Sequence, residues 1–415
     1  MARRGINLVG HITSNLGLGV AARITAALLD ATATPFVAVD VPTTMGSSQH
    51  ADAFAERLWT KSAPAPYSVN LFHLNPPELK RQVQSREKWL ALDGHLNAVV
   101  PFWELSKLPA AWVDVIARMD VVLAPTAFVA GLVRDAGIAE ERIVAFPQGV
   151  EIPSQVVRDR TRWGFGEDEV VFVASFDLNS DLARKNPGGT IAAFNAMRRA
   201  APHAKTRLLI KVNNVEGAGP KRRLGQLRAL AGDAVEIRSD SLPYADVLSL
   251  YASADVYVSL HRAEGLGLGL LESMALGVPV LATAYSGNLD FMTPNDSRLV
   301  AYKLVPVADT SIGSYGPRVI GDGQMWAEPD VDDAARGMLE FLDAEHRARL
   351  ARAARAASIV MRDDPRRRAA IETLLDRGDG APARSPLSDL QRLPGWVWRA
   401  RSLAGSLKSR IRTRG

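Results

Sequence analysis

A chain of 415 residues that is 47% hydrophobic and 23% charged is ordinary globular material, long enough for two or three domains whose cores need no covalent staples. It contains no cysteine, which excludes disulfides, thiolate metal sites and cysteine nucleophiles and fits a reducing cytoplasm. The net charge of +5 is modest, but the basic excess is uneven and gathers towards the end of the chain.

The opening run MARRGINLVGHITSN carries two arginines and an apolar stretch that breaks at Gly10 and His11, too short for a signal-peptide core. No later stretch reaches the roughly 18 apolar residues of a spanning helix. A cytoplasmic location is therefore expected, with any membrane contact peripheral and on the inner face of the plasma membrane.

Apolar, β-branched runs then alternate with helical patterns: INLVG (6–10), PFVAVD (35–40), SVNLFH (68–73), NAVVPF (97–102), DVVLAP (120–125) and RIVAFP (142–147). Strand alternating with helix predicts an α/β domain around a parallel sheet over 1–152. After FPQGVEIP (146–153) the rhythm restarts with VVFVASF (170–176), RLLIKV (207–212), VEIRS (235–239), DVYVSL (255–260) and VPVLAT (278–283), which predicts a second doubly wound, Rossmann-like domain over 153–350. No residue-level repeat links the halves, so two domains of one type facing a central ligand cleft are expected rather than a duplication. The Ala/Arg-rich stretch 351–376 reads as closing helices, RGDGAPARSP (377–386) as a linker, and the remainder to 415 as a basic amphipathic tail.

The densest chemical signal is HRAEGLGLGLLESMALGVPVLAT. It follows an apolar strand, its Gly265, Gly267 and Gly269 permit a tight backbone path, and helical character runs from about Leu268 to Leu276 before Gly277 and Pro279. A strand, a glycine turn and a helix N-terminus together hold anions, because free N–H groups and the helix dipole converge there. Glu264 and Glu272 bracket seven residues and can face one cleft, where carboxylates accept hydrogen bonds from sugar hydroxyls. The alternative is purely structural: a turn that needs positive φ beside two solvated charges.

A second block, SFDLNSDLARKNPGGTIAAFNAM (175–197), follows the first strand of the second domain and offers Arg184 and Lys185 either as anion-binding cations or as an exposed helix start. In the first domain GHITSNLGLGVAAR sets Gly17, Gly19 and Ala22 in a G-x-G-x-x-A spacing, with Asp40 some twenty residues on as a ribose ligand, so an NAD-dependent oxidoreductase is a competing reading. LFHLNPPEL and VPFWELSKLP bring His73 and Glu104 to the ends of the third and fourth strands, where α/β sheets put their ligands. His73 reads equally as a satisfied structural histidine, and His11 as loop packing or an acceptor contact.

The glutamate block resembles the donor-site signature of family 4 retaining glycosyltransferases, an E-x7-E pattern followed by a G-x-P strand, and the resemblance spans about residues 5 to 345. It implies the GT-B fold, with an acceptor domain first and a nucleotide-sugar donor domain second. It implies that Glu264 lies by the donor sugar, that Glu272 bonds the ribose, and that the backbone of Gly265, Leu266, Gly267 and Leu268 runs along sugar and diphosphate. Lys185 matches the family's phosphate-gripping lysine. The arginine usual about five residues earlier is replaced by Ser180, so Arg184 or Lys211 is implied as its substitute. The loop with Gly17 and Gly19 is implied to face the diphosphate and the acceptor, and a histidine near His73 to touch the sugar, although FWEL departs from the common pattern. FWELSKLP, APTAFVAGLV, PQGVEIP, FDLNS, RKNP and SGNLDFM resemble a bacterial subgroup associated with O-antigen and related polysaccharides, for which GDP-mannose is the first donor choice, ahead of UDP- and dTDP-sugars.

The resemblance implies retaining, front-face transfer without a protein nucleophile. It implies no metal and no cofactor, the nucleotide-sugar being a substrate, and the acceptor is a glycan or a lipid-linked sugar. A catalytically silent glycan-binding subunit on the same fold is the other alternative. From Leu387 to Gly415 seven Lys/Arg residues accompany one acid, and a helix after Pro394 would align Trp396, Ala400, Leu403, Leu407 and Ile411. That pattern suits an anionic membrane surface better than nucleic acid, for which no motif is present.

Overall fold

The computed structural model describes residues 2–43, 54–231, 235–307 and 323–392. In the first half, β1 (Arg3–Gly10), β2 (Phe36–Asp40), β3 (Tyr67–His73), β4 (Leu96–Val99), β5 (Val121–Ala124) and β6 (Ile143–Ala145) form one sheet in the order β2-β1-β3-β4-β5-β6. In the second, β7 (Val170–Asp177), β8 (Thr206–Asn213), β9 (Glu236–Arg238), β10 (Val256–Ser259), β11 (Val280–Thr283) and β12 (Arg298–Val300) form another in the order β12-β11-β10-β7-β8-β9. Every pairing in both sheets is parallel. Helices cover both faces, so the strands are continuous apolar runs rather than alternating ones, and Leu8, Leu71, Ala98, Phe172, Ile210 and Leu281 are fully buried.

The winding reverses between β1 and β3 in the first sheet and between β7 and β10 in the second. Loops leaving the carboxyl ends of neighbouring strands diverge at such a reversal and leave a crevice there. The crevices of the two halves open onto each other.

Within the first sheet a buried polar ladder accompanies the strand register. Asn7, Asn70 and Asn97 stand opposite one another on β1, β3 and β4. Asn7 Nδ2 donates to Asn70 Oδ1 at 3.0 Å, Asn70 Nδ2 to Asn97 Oδ1 at 2.9 Å, and Asn97 Nδ2 to Ser385 Oγ at 3.1 Å. A one-residue slip of any of the three strands would bury these amides unpaired.

The carboxyl-terminal segment differs from the sequence expectation. The helix Ala344–Arg362 packs on the second half, but Pro365–Asp379 crosses back to β1, β3, β4 and β6 and contributes Ala370, Ile371 and Leu374 to the first half's core. The helix thus runs into the stretch read as a linker. Beyond it Leu387 and Leu390 are buried against the helix Pro76–Ser85, each burial contributing roughly 2 kcal/mol. Two isolated leucines are too few to show a period, so the Gly, Pro and Ser around them dominate the sequence pattern. The amphipathic stripe from Trp396 to Ile411 lies outside the described residues. A further element carries no clear sequence signal: β13 (Tyr302–Pro306) and β14 (Met325–Pro329) pair antiparallel, outside both sheets.

Candidate active site

The strand-end loops of the two halves enclose a cleft of about 760 Å³, a volume suited to a small organic ligand. Broader depressions lie elsewhere; one of 980 Å³, lined by exposed residues including Glu167, Arg198 and Lys205, sits at the opposite, amino-terminal ends of β7 and β8. The cleft between the halves, by contrast, is lined by buried ionisable groups.

From the first half come Gly17, Asn75, Phe102, Trp103, Glu104 and Trp112; from the second come Asp181, Arg184, Lys185, Tyr244, Glu264 to Leu268 and Glu272. Two helices present uncapped amino ends to this space. Gly17–Ala31 begins after Leu16, and Leu268–Ala275 after Gly267, which sits at φ +91 in the left-handed region; neither capping residue supplies a side-chain hydrogen bond. Other helices, such as those that begin after Asp330 and Asp343, carry side-chain caps. Free N–H groups from opposite walls thus converge on one volume, an arrangement that favours a doubly charged anion. Gly19 is required by packing, since a Cβ there would lie 2.3 Å from Ser14 O and 2.6 Å from His11 O.

Lys185 and Glu264 arrive on the loops after β7 and β10, the two strands at the reversal, and Lys185 Nζ bonds Glu264 Oε1. The buried guanidinium of Arg184 donates from Nη1 to Ala263 O at 2.9 Å, and lies 3.4 Å from Glu264 Oε2 and 3.3 Å from Glu104 Oε1 of the other half. Burial alone would raise the Glu264 carboxyl, but Lys185 and Arg184 outweigh it and hold the group down at about 2, so it is an anion. Glu272 is the reverse case. Burial pushes it up to about 7, against the hydrogen bond from Tyr244 Oη at 2.5 Å and the charge of Arg23. The two glutamates of one motif therefore differ in protonation near neutrality because only one of them sits beside buried cations.

The structure moves three expected contacts out of the site. His73 is fully buried beneath the first helix, its Nε2 2.9 Å from Thr25 Oγ1, and burial drives it down to about 3, so it is a neutral core residue that does not line the cleft. Lys211 is also fully buried, and its ammonium spends its three donors on Val212 O, Asn213 Oδ1 and Asp240 O, each at 2.8 Å. It ties down the loops after β8 and β9 and has no donor left for a phosphate. His11 packs inside its loop, with Nδ1 2.6 Å from Val41 O and Nε2 3.4 Å from Glu78 Oε2. Burial opposes its charge, yet Glu78 and the Val41 carbonyl prevail and raise it.

Two contributors do not stand out in the sequence as charge partners of Glu272. Tyr244, at the start of Tyr244–Ser253, holds the Glu272 carboxylate, and Arg23, on the first helix, donates to Ile12 O at 2.8 Å and Ser14 O at 2.9 Å while its charge reaches Glu272. Tyr244 meets Glu272 through packing within the second half, whereas Arg23, the last residue of the GHITSNLGLGVAAR block, reaches Glu272 only because the two halves approach.

Residues 184–311 match the family model of glycosyl transferases group 1. Over 183 residues the chain is 32% identical to the D-inositol 3-phosphate glycosyltransferase of Geodermatophilus obscurus, a match covering 42% of this chain and 40% of that one. Over 164 residues it is 29% identical to the GDP-mannose-dependent monoacylated alpha-(1-6)-phosphatidylinositol monomannoside mannosyltransferase of Corynebacterium glutamicum, covering 36% of this chain and 40% of that one. The chain thus matches about two-fifths of the length of each of these relatives. Among solved structures, Anabaena HepE in complex with UDP and glucose superposes with a TM-score of 0.63 at 14% identity, covering 90% of this chain and 100% of that one. A glycosyltransferase from Rickettsia africae superposes at 0.61 and 14%, covering 90% and 98%. At such identities the likeness shows the fold alone, and that fold is GT-B.

Proposed function

We propose that this chain is a retaining glycosyltransferase that moves a sugar, mannose from GDP-mannose before any UDP- or dTDP-sugar, onto a glycan or lipid-linked acceptor in cell-surface polysaccharide synthesis. The observation that carries the reading is the meeting of Lys185, Glu264 and Glu272, all inside the segment that matches the family model, in one cleft beside two uncapped helix ends, one of them from the other half. The choice of GDP-mannose draws on the GDP-mannose-dependent relative, and the UDP alternative on the neighbour that holds UDP.

In this reading the diphosphate lies between the helix ends at Gly17 and Leu268, and Glu272 accepts the ribose hydroxyls. Lys185 exchanges Glu264 for the diphosphate, which frees Glu264 to accept from the sugar hydroxyls, while Arg184 adds charge and keeps Glu104 at the acceptor side. The acceptor hydroxyl oxygen bonds the anomeric carbon on the face from which the diphosphate departs. As the C–O bond to phosphate breaks, its oxygen takes the hydroxyl proton. The protein contributes positioning and stabilisation of the leaving charge, without a metal and without a cofactor. Leu387 and Leu390 are buried in the first half, so attachment to an anionic membrane belongs to the same proposal only through the basic residues after Arg392, and vesicle co-sedimentation of a chain ending at Arg392 tests it: undiminished binding removes that part.

The direct test is thermal-shift titration with GDP, UDP, dTDP, ADP and NAD beside the Glu272→Ala variant, followed by sugar transfer with and without chelator. A rise in Tm with one nucleoside diphosphate, lost in the variant, supports the reading and names the base. A rise with NAD alone overturns it, and activity abolished by chelator overturns metal independence.

A further inference from the structure

The hairpin β13–β14 belongs to neither sheet, and it grips both walls of the cleft. On the second-half side Arg262, two residues before Glu264, donates Nε to Glu328 Oε2 at 2.6 Å and Nη2 to Glu328 Oε1 at 2.9 Å, a bidentate pair on β14. Its guanidinium lies 5.4 Å from the Trp326 ring centroid. Its backbone N–H donates to Arg184 O at 2.7 Å, and its carbonyl accepts from Ala327 N at 2.9 Å. The hairpin is thereby fixed to the turn that carries Arg184 and Glu264.

On the first-half side the contact is made by Gln324, which is 4% exposed and immediately precedes β14. Its amide pairs with one residue in both directions: Lys107 N donates to Oε1 at 3.0 Å, and Nε2 donates to Lys107 O at 3.0 Å. Next to it Met325 N donates to Ser106 Oγ at 2.8 Å, and the same Lys107 carbonyl accepts from Trp103 Nε1 at 2.7 Å. The loop held in this way presents Glu104 to Arg184 at 3.3 Å. It also brings Trp103 so close to Gly265 that a Cβ there would lie 3.1 Å from Trp103 O. A planar amide has a donor and an acceptor side by side, so glutamine can satisfy both backbone groups of Lys107, whereas the isosteric glutamate cannot.

We infer that Gln324 is a positioning residue that latches the 103–107 loop of the first half onto the hairpin of the second, closing the cleft and holding Glu104 against Arg184. Its effect on turnover rests on the glycosyltransferase reading; its effect on closure does not.

The test uses the full chain, whose lack of cysteine allows dyes to be placed at Glu87→Cys and Arg222→Cys, two exposed positions in opposite halves. Energy transfer between them is measured without nucleotide and with GDP or UDP, in the otherwise unaltered chain and with Gln324→Ala or Gln324→Glu added. Both variants are expected to lower the energy transfer. They are expected to reduce kcat about tenfold or more, as loss of orientation does, while nucleoside diphosphate affinity, carried mainly by Lys185, Glu272 and the Leu268 helix end of the second half and only in part by the Gly17 helix end, stays within about threefold. Gln324→Ala added to Glu104→Gln should cost little beyond Glu104→Gln alone, because the one acts through the other. Unchanged energy transfer, a loss of nucleotide affinity equal to the loss of kcat, or effects that multiply with Glu104→Gln would each overturn the latch. If the unaltered chain neither binds a nucleotide nor turns over, the functional reading falls, and the energy-transfer comparison alone still decides whether Gln324 closes the cleft.

Discussion

The asparagine ladder of the first sheet and the glutamate cluster of the cleft both bury polar side chains, and they do so on opposite principles. Asn7, Asn70 and Asn97 are neutral amides in strand register, each donating and accepting within the ladder or to nearby backbone, and the ladder ends on Ser385 of the returning chain. In the cleft, Glu264 is held ionised at about 2 by two cations while Glu272, in the same motif, is raised to about 7 by burial with one tyrosine bond and a more distant arginine. A satisfied neutral network specifies register and titrates nowhere near neutrality. A charged cluster with displaced ionisation can exchange partners with an incoming ligand. Buried polarity alone does not distinguish a fold device from a site; the displaced ionisation of groups facing a cavity does.

The contrast can be broken at either end. The largest expected effect is on chemistry: Lys185→Ala should lower turnover about 10³-fold, or roughly 4 kcal/mol of transition-state stabilisation, with little change in donor affinity. Steady-state kinetics reading equal losses in kcat and affinity would make Lys185 a mere anchor. Asn70→Leu should cost about 3 kcal/mol in urea unfolding, because amides on both sides lose partners, yet leave kcat per folded molecule unchanged. A fall in kcat at constant folded fraction would join the ladder to the site.

Glu272→Gln tests the other side with a definite sign. A carboxyl raised from 4.5 to about 7 binds its proton more tightly in the folded chain, so stability is lost as pH rises from about 4.5 through about 7, by roughly 3 kcal/mol in all. The variant should therefore gain stability over the parent at pH 8, by roughly 3 kcal/mol, and show little difference near pH 4. Nucleotide affinity should rise with pH through about 7 in the parent, because ribose hydroxyls donate to the ionised form, and stay flat in the variant. A pH-independent stability difference would show that Glu272 is not held protonated. The smallest effect is expected at Gly17, where a Cβ meets nothing within 4 Å: Gly17→Ala should change stability by less than about 0.5 kcal/mol while weakening nucleotide binding, because the added methyl takes up space at the helix end where the diphosphate would lie. Gly19→Ala, whose Cβ collides with Ser14 O, serves as the destabilising control.

Much of this arrangement is legible from residues alone. Among the described residues, the runs read from the sequence mark eleven of the twelve sheet strands, because burial on both faces of the central strands leaves no alternation to confuse them; the short edge strand Arg298–Val300 is missed. The glutamate block declares a strand, a turn and a helix beginning at Leu268, where the structure has it. His73 and Lys211 mislead for a shared reason. A strand's carboxyl end is where ligands bind, but whether a side chain there turns towards the cleft or into the core depends on the pleat and on what packs above it. The helix over His73 and the carbonyls around Lys211 belong to other elements.

By itself, then, the sequence determined two parallel-sheet halves, their glycine turns, and the placing of Lys185 and Glu264 just after strands and of Glu272 in the helix that follows the glycine turn, because these follow from local periodicity and turn chemistry. Tertiary structure alone decided that Glu264 is anionic while Glu272 is near-neutral, that Arg23 and Tyr244 join them, that Leu387 and Leu390 return to the first half, and that Gln324 spans the cleft. Ionisation and cross-cleft bonding depend on the distance between groups far apart in the chain, and on the water that their approach excludes.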